Sequence, residues 1–232
     1  MNNISIIPIN NLPEFEPKYD LADEIIKSFS SNNFVLEDKD VIVITQKIVS
    51  KVEDRLIKND NESIEKLIQQ ESLEILRKRG DTVIARTKHG FICANAGIDK
   101  SNIEKGSVLL LPEDPDKTSR DIRKKIEHVT NKKISIIISD TFGRAWRKGQ
   151  TNVAIGSSGI EPLESYIGKK DAFDNELFAT EIAIIDELAG AAELVMKKSD
   201  NIPVAIIRGV DYKSSDSGVS ELIRKEDEDF FL

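Results

Sequence analysis

The sequence predicts an α+β fold, with mixed sheets and helices packed against them, in a single domain over residues 1–232 or two subdomains sharing one core. Three observations predict it. Strand-like β-branched runs and amphipathic helical stretches are mixed without the strict strand–helix alternation of a doubly wound sheet. No period of 20–50 residues repeats, which argues against a solenoid. Hydrophobic residues make up 39% and charged residues 32% of the 232, the balance of a globular chain with a well-charged surface.

The elements follow in chain order. Residues 4–9 run apolar and then meet Asn10, Asn11 and Pro13, a strand entering a loop. Asp20 is placed to cap a helix over 21–29, with Leu21, Ile25, Ile26 and Phe29 on one face. The β-branched run 41–44, flanked by charge, reads as a buried strand leading into Thr45-Gln46-Lys47-Ile48-Val49-Ser50-Lys51. Residues 63–78 read as one helix, with Ile64, Leu67, Ile68 and Ile75 at helical intervals and Gly80 as the stop. Stretches 83–86 and 91–94 flank Lys88-His89-Gly90 as a hairpin, and 108–111 is a further strand. Pro115 introduces a charged amphipathic helix over 116–129. Residues 134–139 are the most strand-like in the chain. Residues 142–159, rich in Gly, Ser and Thr, read as loop around a short strand at 153–155. An alanine-rich helix over 180–195 and a strand over 204–207 complete the fold, followed by a polar, acidic tail from 214 to 232.

Composition excludes several classes. The net charge of −8 gives no electrostatic reason to expect a nucleic-acid partner. Cys93 is the single cysteine, so no intrachain disulfide forms, and with only His89 and His128 a Cys/His metal site has too few ligands. The N-terminus lacks a signal-peptide pattern and no apolar run is long enough to span a bilayer, so a cytoplasmic chain without membrane contact is expected. P-loop, dinucleotide-fold and nucleophile-elbow motifs are all missing.

What is present is a set of carboxylates and cations. Asp99, in Asn95-Ala96-Gly97-Ile98-Asp99-Lys100-Ser101-Asn102, reads either as a hard-cation ligand or as a turn residue bonding local backbone. Asp140 closes the run 134–139 and precedes Thr141, which suits a ligand for Mg²⁺ or Mn²⁺ and equally a cap. Arg144, Arg147 and Lys148 place three cations within five residues beside Trp146 and Gln150, a patch suited to phosphate or carboxylate, or a solvated loop. Asp114 and Asp116 flank Pro115 and read first as helix caps, with a metal or an amino group as the alternative partner. Such an inventory suits charge neutralisation in phosphoryl or acyl-phosphate transfer more than proton shuttling by histidine.

Several ordered motifs resemble one family, the coenzyme F420-0:L-glutamate ligases. They are Val43 to Lys51, His89-Gly90-Phe91 through Asp99, Leu110-Leu111-Pro112-Glu113-Asp114-Pro115-Asp116, Ser139-Asp140-Thr141-Phe142-Gly143-Arg144-Ala145-Trp146-Arg147-Lys148-Gly149-Gln150-Thr151, and Pro203 to Gly209. The resemblance implies a GTP-dependent ligase that activates F420-0 as an acyl phosphate and joins L-glutamate to it by a γ-glutamyl amide, giving one or more additions. By position it implies Asp99 and Asp140 as ligands of one divalent ion and Thr141 of a second, Mg²⁺ or Mn²⁺, with K⁺ as a further ion. Leu12, Pro13, Glu14, Phe15, Gln46, Lys51 and Asn102 resemble GTP contacts, and Asp140, Arg144 and Arg147 are the catalytic candidates. An intertwined homodimer is expected, without a fused C-terminal flavin-binding domain. The chain departs from the pattern at two places: Asn152 stands where family members often carry Asp, and Met196-Lys197-Lys198-Ser199 replaces a glycine and a metal-binding glutamine. Lys197 or Lys198 is there an alternative partner for phosphate. The competing readings are a related ATP- or GTP-dependent ligase for another carboxylate, and a nucleotide- or cofactor-binding protein without catalysis.

Overall fold

In the computed structural model, which describes residues 3–58, 64–101 and 103–230, apolar runs without a polar side are covered on both faces, as their patterning demands. Two such runs, β2 (Val41–Thr45) and the first half of β8 (Ser135–Arg144), lie parallel at the centre of a five-stranded sheet of order β1-β12-β2-β8-β9. The outer members are β1 (Ser5–Ile9), β12 (Val204–Arg208) and β9 (Arg147–Ser158), each antiparallel to its neighbour. Helices α1 (Leu21–Ser31), α4 (Pro115–Thr130) and α5 (Ile184–Met196) share one continuous core with this sheet.

The caps follow local chemistry. Asp20 accepts from Asp23 N–H to start α1, and Asp114 accepts from Lys117 N–H to start α4, with Pro115 in its first turn. Asp116 has a different role: its Oδ1 accepts from Ser157 N–H at 2.8 Å and Val219 N–H at 3.0 Å, tying α4 to β9 and to the chain near the C-terminus. At the end of the sheet away from Asp140, the fully buried Asp40 takes a bidentate pair from Arg208, Nε to Oδ1 at 2.8 Å and Nη2 to Oδ2 at 2.7 Å.

A smaller layer is built from β4 (Ser72–Arg79), β5 (Thr82–Thr87) and β6 (Ile92–Ala94), with α3 (Ile64–Glu71) against it and a second small core around Ile68, Val83, Ala85 and Ala96. Strands β3 (Leu56–Lys58) and β7 (Ser107–Leu109) pair separately, and α2 (Gln46–Val52) follows β2 directly. The short strands β10 (Glu164–Ser165) and β11 (Glu181–Ile182) close an extended loop.

Three expectations are corrected. The helix expected over 63–78 ends at Glu71, and Ser72–Arg79 is a strand; its first residue, Ser63, lies outside the described residues. The α3–β4 junction carries no Gly or Pro, and residues 72–79 fit helical spacing while pairing with β5 on an edge. The loop expected over 142–159 is instead the long β8–β9 hairpin, turned by Ala145 and Trp146, with Trp146 at φ 57°. Its outer half leaves the core, so its residues are polar on both faces and show no strand period. The helix expected over 180–195 begins at Ile184 because Glu181–Ile182 pairs as β11. Within the polar, acidic tail Val219 is buried, and Asp216 pairs with Arg123 at 2.7 Å. Among the described residues, no helix is long and apolar enough to cross a membrane.

Candidate active site

Parallel strands that end side by side expose backbone and loops at one edge of the sheet, the usual place for a ligand in mixed α/β architecture. Here β2 and β8 deliver Thr45 and Asp140 to that edge, and β1 delivers the loop that follows Ile9. The edge opens into a cavity of about 730 Å³, of the size that takes a nucleotide or cofactor. Its far wall comes from β6 and the 95–101 segment of the smaller layer.

Asp140 sits where β8 leaves the core, after five buried residues. Burial pushes its carboxyl up to about 6; the Thr141 backbone N–H draws it back, Asp99 across the cavity adds to the rise, and Lys47 and Lys198 oppose it. Asp99 is delivered by Asn95, Ala96 and Gly97, all with positive φ, of which Ala96 at 54° is the sterically costly one. Gly97 has a packing reason as well, since a Cβ there would lie 2.6 Å from Leu111 Cδ1. Burial alone would raise the Asp99 carboxyl, but Lys47 and the Ser101 N–H and hydroxyl hold it below its ordinary value. The Lys47 contact is an ion pair of 2.6 Å.

Lys47 and Lys51 are one helical turn apart on α2, so both reach the same wall. Lys51 pairs with Glu14 of the N-terminal loop. Across the β8–β9 ladder Thr141 faces Asn152, and its hydroxyl donates to Asn152 Oδ1 at 2.6 Å. Lys198, just past α5, reaches Thr141 Oγ1, Asn152 Oδ1 at 3.2 Å and Glu193 Oε2 at 2.9 Å. Cys93 lines the wall with its thiol pushed up to about 12 by burial and the nearby Asp140 charge, which leaves it protonated and unreactive.

Most of the sequence-predicted site converges. Asp99, Asp140, Thr141, Lys51, Leu12, Pro13, Glu14 and Phe15 all line the cavity. Gln46 does not: it is fully buried on the other side of α2, its Oε1 accepting from Ser50 Oγ at 2.8 Å. Asn102 lies outside the described residues. Arg144 and Arg147 also miss the cavity, carried outward by the hairpin, where Arg144 Nη2 donates to Lys148 O at 2.7 Å. His89 serves packing, with Nε2 within 2.9 Å of Pro112 O and its ring stacked on Phe91. Sequence reasoning missed Lys47, Ser101 and Glu193. The spacing of Lys47 to Lys51 was a usable signal; Glu193 had none, because it reads as an ordinary helix-surface acid.

For a divalent ion the donor set fits. Two facing carboxylates, one of them buried with its charge only partly compensated, are what an oxygen-seeking ion needs when substrate phosphates supply the rest. Among the described residues, no group of three or more His, Cys, Asp or Glu side chains is placed to hold a metal ion.

The model of the family described as F420-0:gamma-glutamyl ligase matches residues 10–209. A Methanococcus maripaludis (strain C7) protein named coenzyme F420:L-glutamate ligase is 43% identical over 231 residues, covering 92% of this chain and 90% of its own length. A Methanocaldococcus jannaschii protein of the same name is 43% identical over 216 residues, covering 85% of this chain and 86% of its own.

Proposed function

The chain belongs to the F420-0:gamma-glutamyl ligase family, and on that premise we propose that it joins L-glutamate to coenzyme F420-0 with GTP as the energy source. One observation carries the chemistry: Asp99 and Asp140, from separate layers, face each other across one cavity whose rim holds Lys47, Lys51, Lys197 and Lys198. In a chain of net charge −8, four lysines in the lining balance Glu14, Asp99, Asp140 and Glu193, so a triphosphate with its divalent ion meets no net negative field there.

The reaction runs in two steps. A carboxylate oxygen of F420-0 attacks the terminal phosphorus of the nucleotide, the bond to the bridging oxygen breaks, and the diphosphate leaves. The amino nitrogen of glutamate, as the free base, then attacks the acyl carbon, inorganic phosphate leaves with the electron pair of the C–O bond, and the nitrogen gives up one proton, which the departing phosphate can take. Both steps move negative charge rather than requiring a histidine relay. A Mg²⁺ or Mn²⁺ ion held by Asp99 and Asp140 would supply neutralisation of the transferring phosphoryl group. Lys47 and Lys51 draw phosphate oxygens to the α2 wall, and the loop Leu12–Phe15 covers the nucleotide side. GTP as the nucleotide, K⁺ as a further ion and additions beyond the first glutamate rest on the family resemblance.

A homodimer belongs to the same reading. Trp146 on the β8–β9 tip is 78% exposed and Phe173 and Phe178 on the β10–β11 loop are 87% and 76% exposed, apolar rings on two projecting arms that a partner copy would cover. Arg144 and Arg147, which do not line their own cavity, travel on the first of these arms.

The test is direct. Purified protein with F420-0, glutamate, GTP and Mn²⁺ should yield product heavier by a glutamyl residue in the mass spectrum. The Asp140→Ala variant, folded by circular dichroism, should yield none. Normal turnover in that variant would remove Asp140 from the centre, and no product with any nucleotide would sink the ligase assignment.

A further inference from the structure

We propose that the Lys198 ammonium is a tethered cation that takes the place of a second divalent ion, so that this enzyme works with one. The proposal rests on the ligase reading for the nucleotide, and on the chain's own geometry for the cation.

Three oxygens of different origin converge on Lys198 Nζ: the Thr141 hydroxyl of β8, the Asn152 side-chain carbonyl of β9 at 3.2 Å, and the Glu193 carboxylate of α5 at 2.9 Å. A hydroxyl, an amide oxygen and a carboxylate form the donor set of a hard cation. An ammonium satisfies the same oxygens as a compact charge with three hydrogen-bond donors. The set is pre-arranged, since Thr141 and Asn152 face each other in the ladder and are themselves bonded at 2.6 Å.

The tether is equally local. Helix α5 ends at Met196, and Lys197 adopts φ 51° while its N–H returns to Glu193 O at 2.9 Å. That reversal turns the next side chain, Lys198, back over the last turn of α5 toward β8 and β9. A left-handed lysine is a costly way to end a helix, and here it aims the following cation into the cavity.

Thr141 was the residue that resemblance assigned to a second metal. Its oxygen is already engaged, and a divalent ion bound to Thr141 and Asn152 would sit against a like charge. The residues present therefore do not fit a second divalent ion. They fit one ion at Asp99 and Asp140, where two carboxylates meet the single Lys47 ammonium and leave negative charge over, whereas Glu193 alone balances Lys198 beside the neutral Thr141 and Asn152.

Equilibrium dialysis of the full-length protein against Mn²⁺, with a non-hydrolysable GTP analogue, tests this. Wild type should bind one Mn²⁺ per chain. Lys198→Gln should bind two, and at Mn²⁺ levels that fill only the first site it should hold the analogue about tenfold more weakly, with affinity recovered as Mn²⁺ rises. Lys198→Arg, which keeps the charge, should stay at one ion. The Lys198 side chain is 58% exposed, so these variants should melt like wild type. Two ions in wild type would overturn the proposal while leaving the ligase reading intact, as would a Lys198→Gln protein unchanged in both stoichiometry and affinity. No Mn²⁺ in wild type would overturn the metal centre and this proposal together.

Discussion

At the level of single residues, Asp140 carries an electrostatic cost of burial whose sign can be worked out. Its carboxyl lies at about 6 in the folded protein against 3.8 in an open chain, chiefly through burial. The folded state therefore binds the proton more tightly than the unfolded one. Stability from this group is fully present below pH 4 and is lost as pH rises through about 6, a change of about 3 kcal/mol. In metal-free protein, Asp140→Asn should raise the melting temperature above pH 6 by roughly 5–10 °C and leave it unchanged near pH 4. Scanning calorimetry in chelator at the two pH values checks it; a lowered melting temperature at pH 7 would show that the carboxylate is stabilised, not penalised. The same proton competes with metal, so Mn²⁺ affinity should fall about tenfold per pH unit below 6, and titration calorimetry across pH 5–7 reads the slope directly. Asp99 and Asp140 were legible in the sequence because a carboxylate after a glycine turn, or at the exit of an apolar strand, is a local pattern. Glu193 and the loss of Arg144 and Arg147 from the cavity were not, since each depends on where a helix face or a hairpin arm points once packed.

At the scale of elements, the register between α4 and β9 decides how the Asp140 strand is backed. Gly156 lies against the first turn of α4, where a Cβ would come within 2.5 Å of the Pro115 carbonyl carbon and oxygen. These are backbone atoms with nowhere to move. Gly156→Ala should cost about 1–3 kcal/mol or more in urea unfolding, and a neutral result would show that helix and strand can slide apart. Loss of the α4 cap, by Asp114→Ala, should cost about 1 kcal/mol, because Lys117 N–H then loses its acceptor at 2.8 Å. Elements with a cap or a fully buried run, such as α1, α4, β2 and β12, were readable from sequence for that reason. The α3–β4 junction was hidden because no Gly or Pro marks it, and Leu73 and Ile75 on the strand remain exposed, so no burial period distinguishes strand from helix there. The β8–β9 arm was hidden for the opposite reason, since a hairpin that leaves its own core has no apolar face to declare it.

For the molecule as a whole, the two projecting arms set the expectation. Trp146 is the single tryptophan of the chain and tops the β8–β9 hairpin with 78% of its surface exposed. Phe173 and Phe178 on the β10–β11 loop are as open, whereas a chain folded to work alone rarely holds aromatic rings out on arms. A partner copy that covers them would remove apolar surface from water. Light scattering on the eluting protein should then give twice the 26.0 kDa chain mass, and Trp146→Ala should shift that mass toward one chain on dilution. The lone indole also reports the state without a label: its emission should be blue-shifted in concentrated protein and move to the red as the assembly comes apart. A single-chain mass at all concentrations, with emission of a water-exposed indole throughout, would leave these arms without a partner copy and require another reason for their apolar tips.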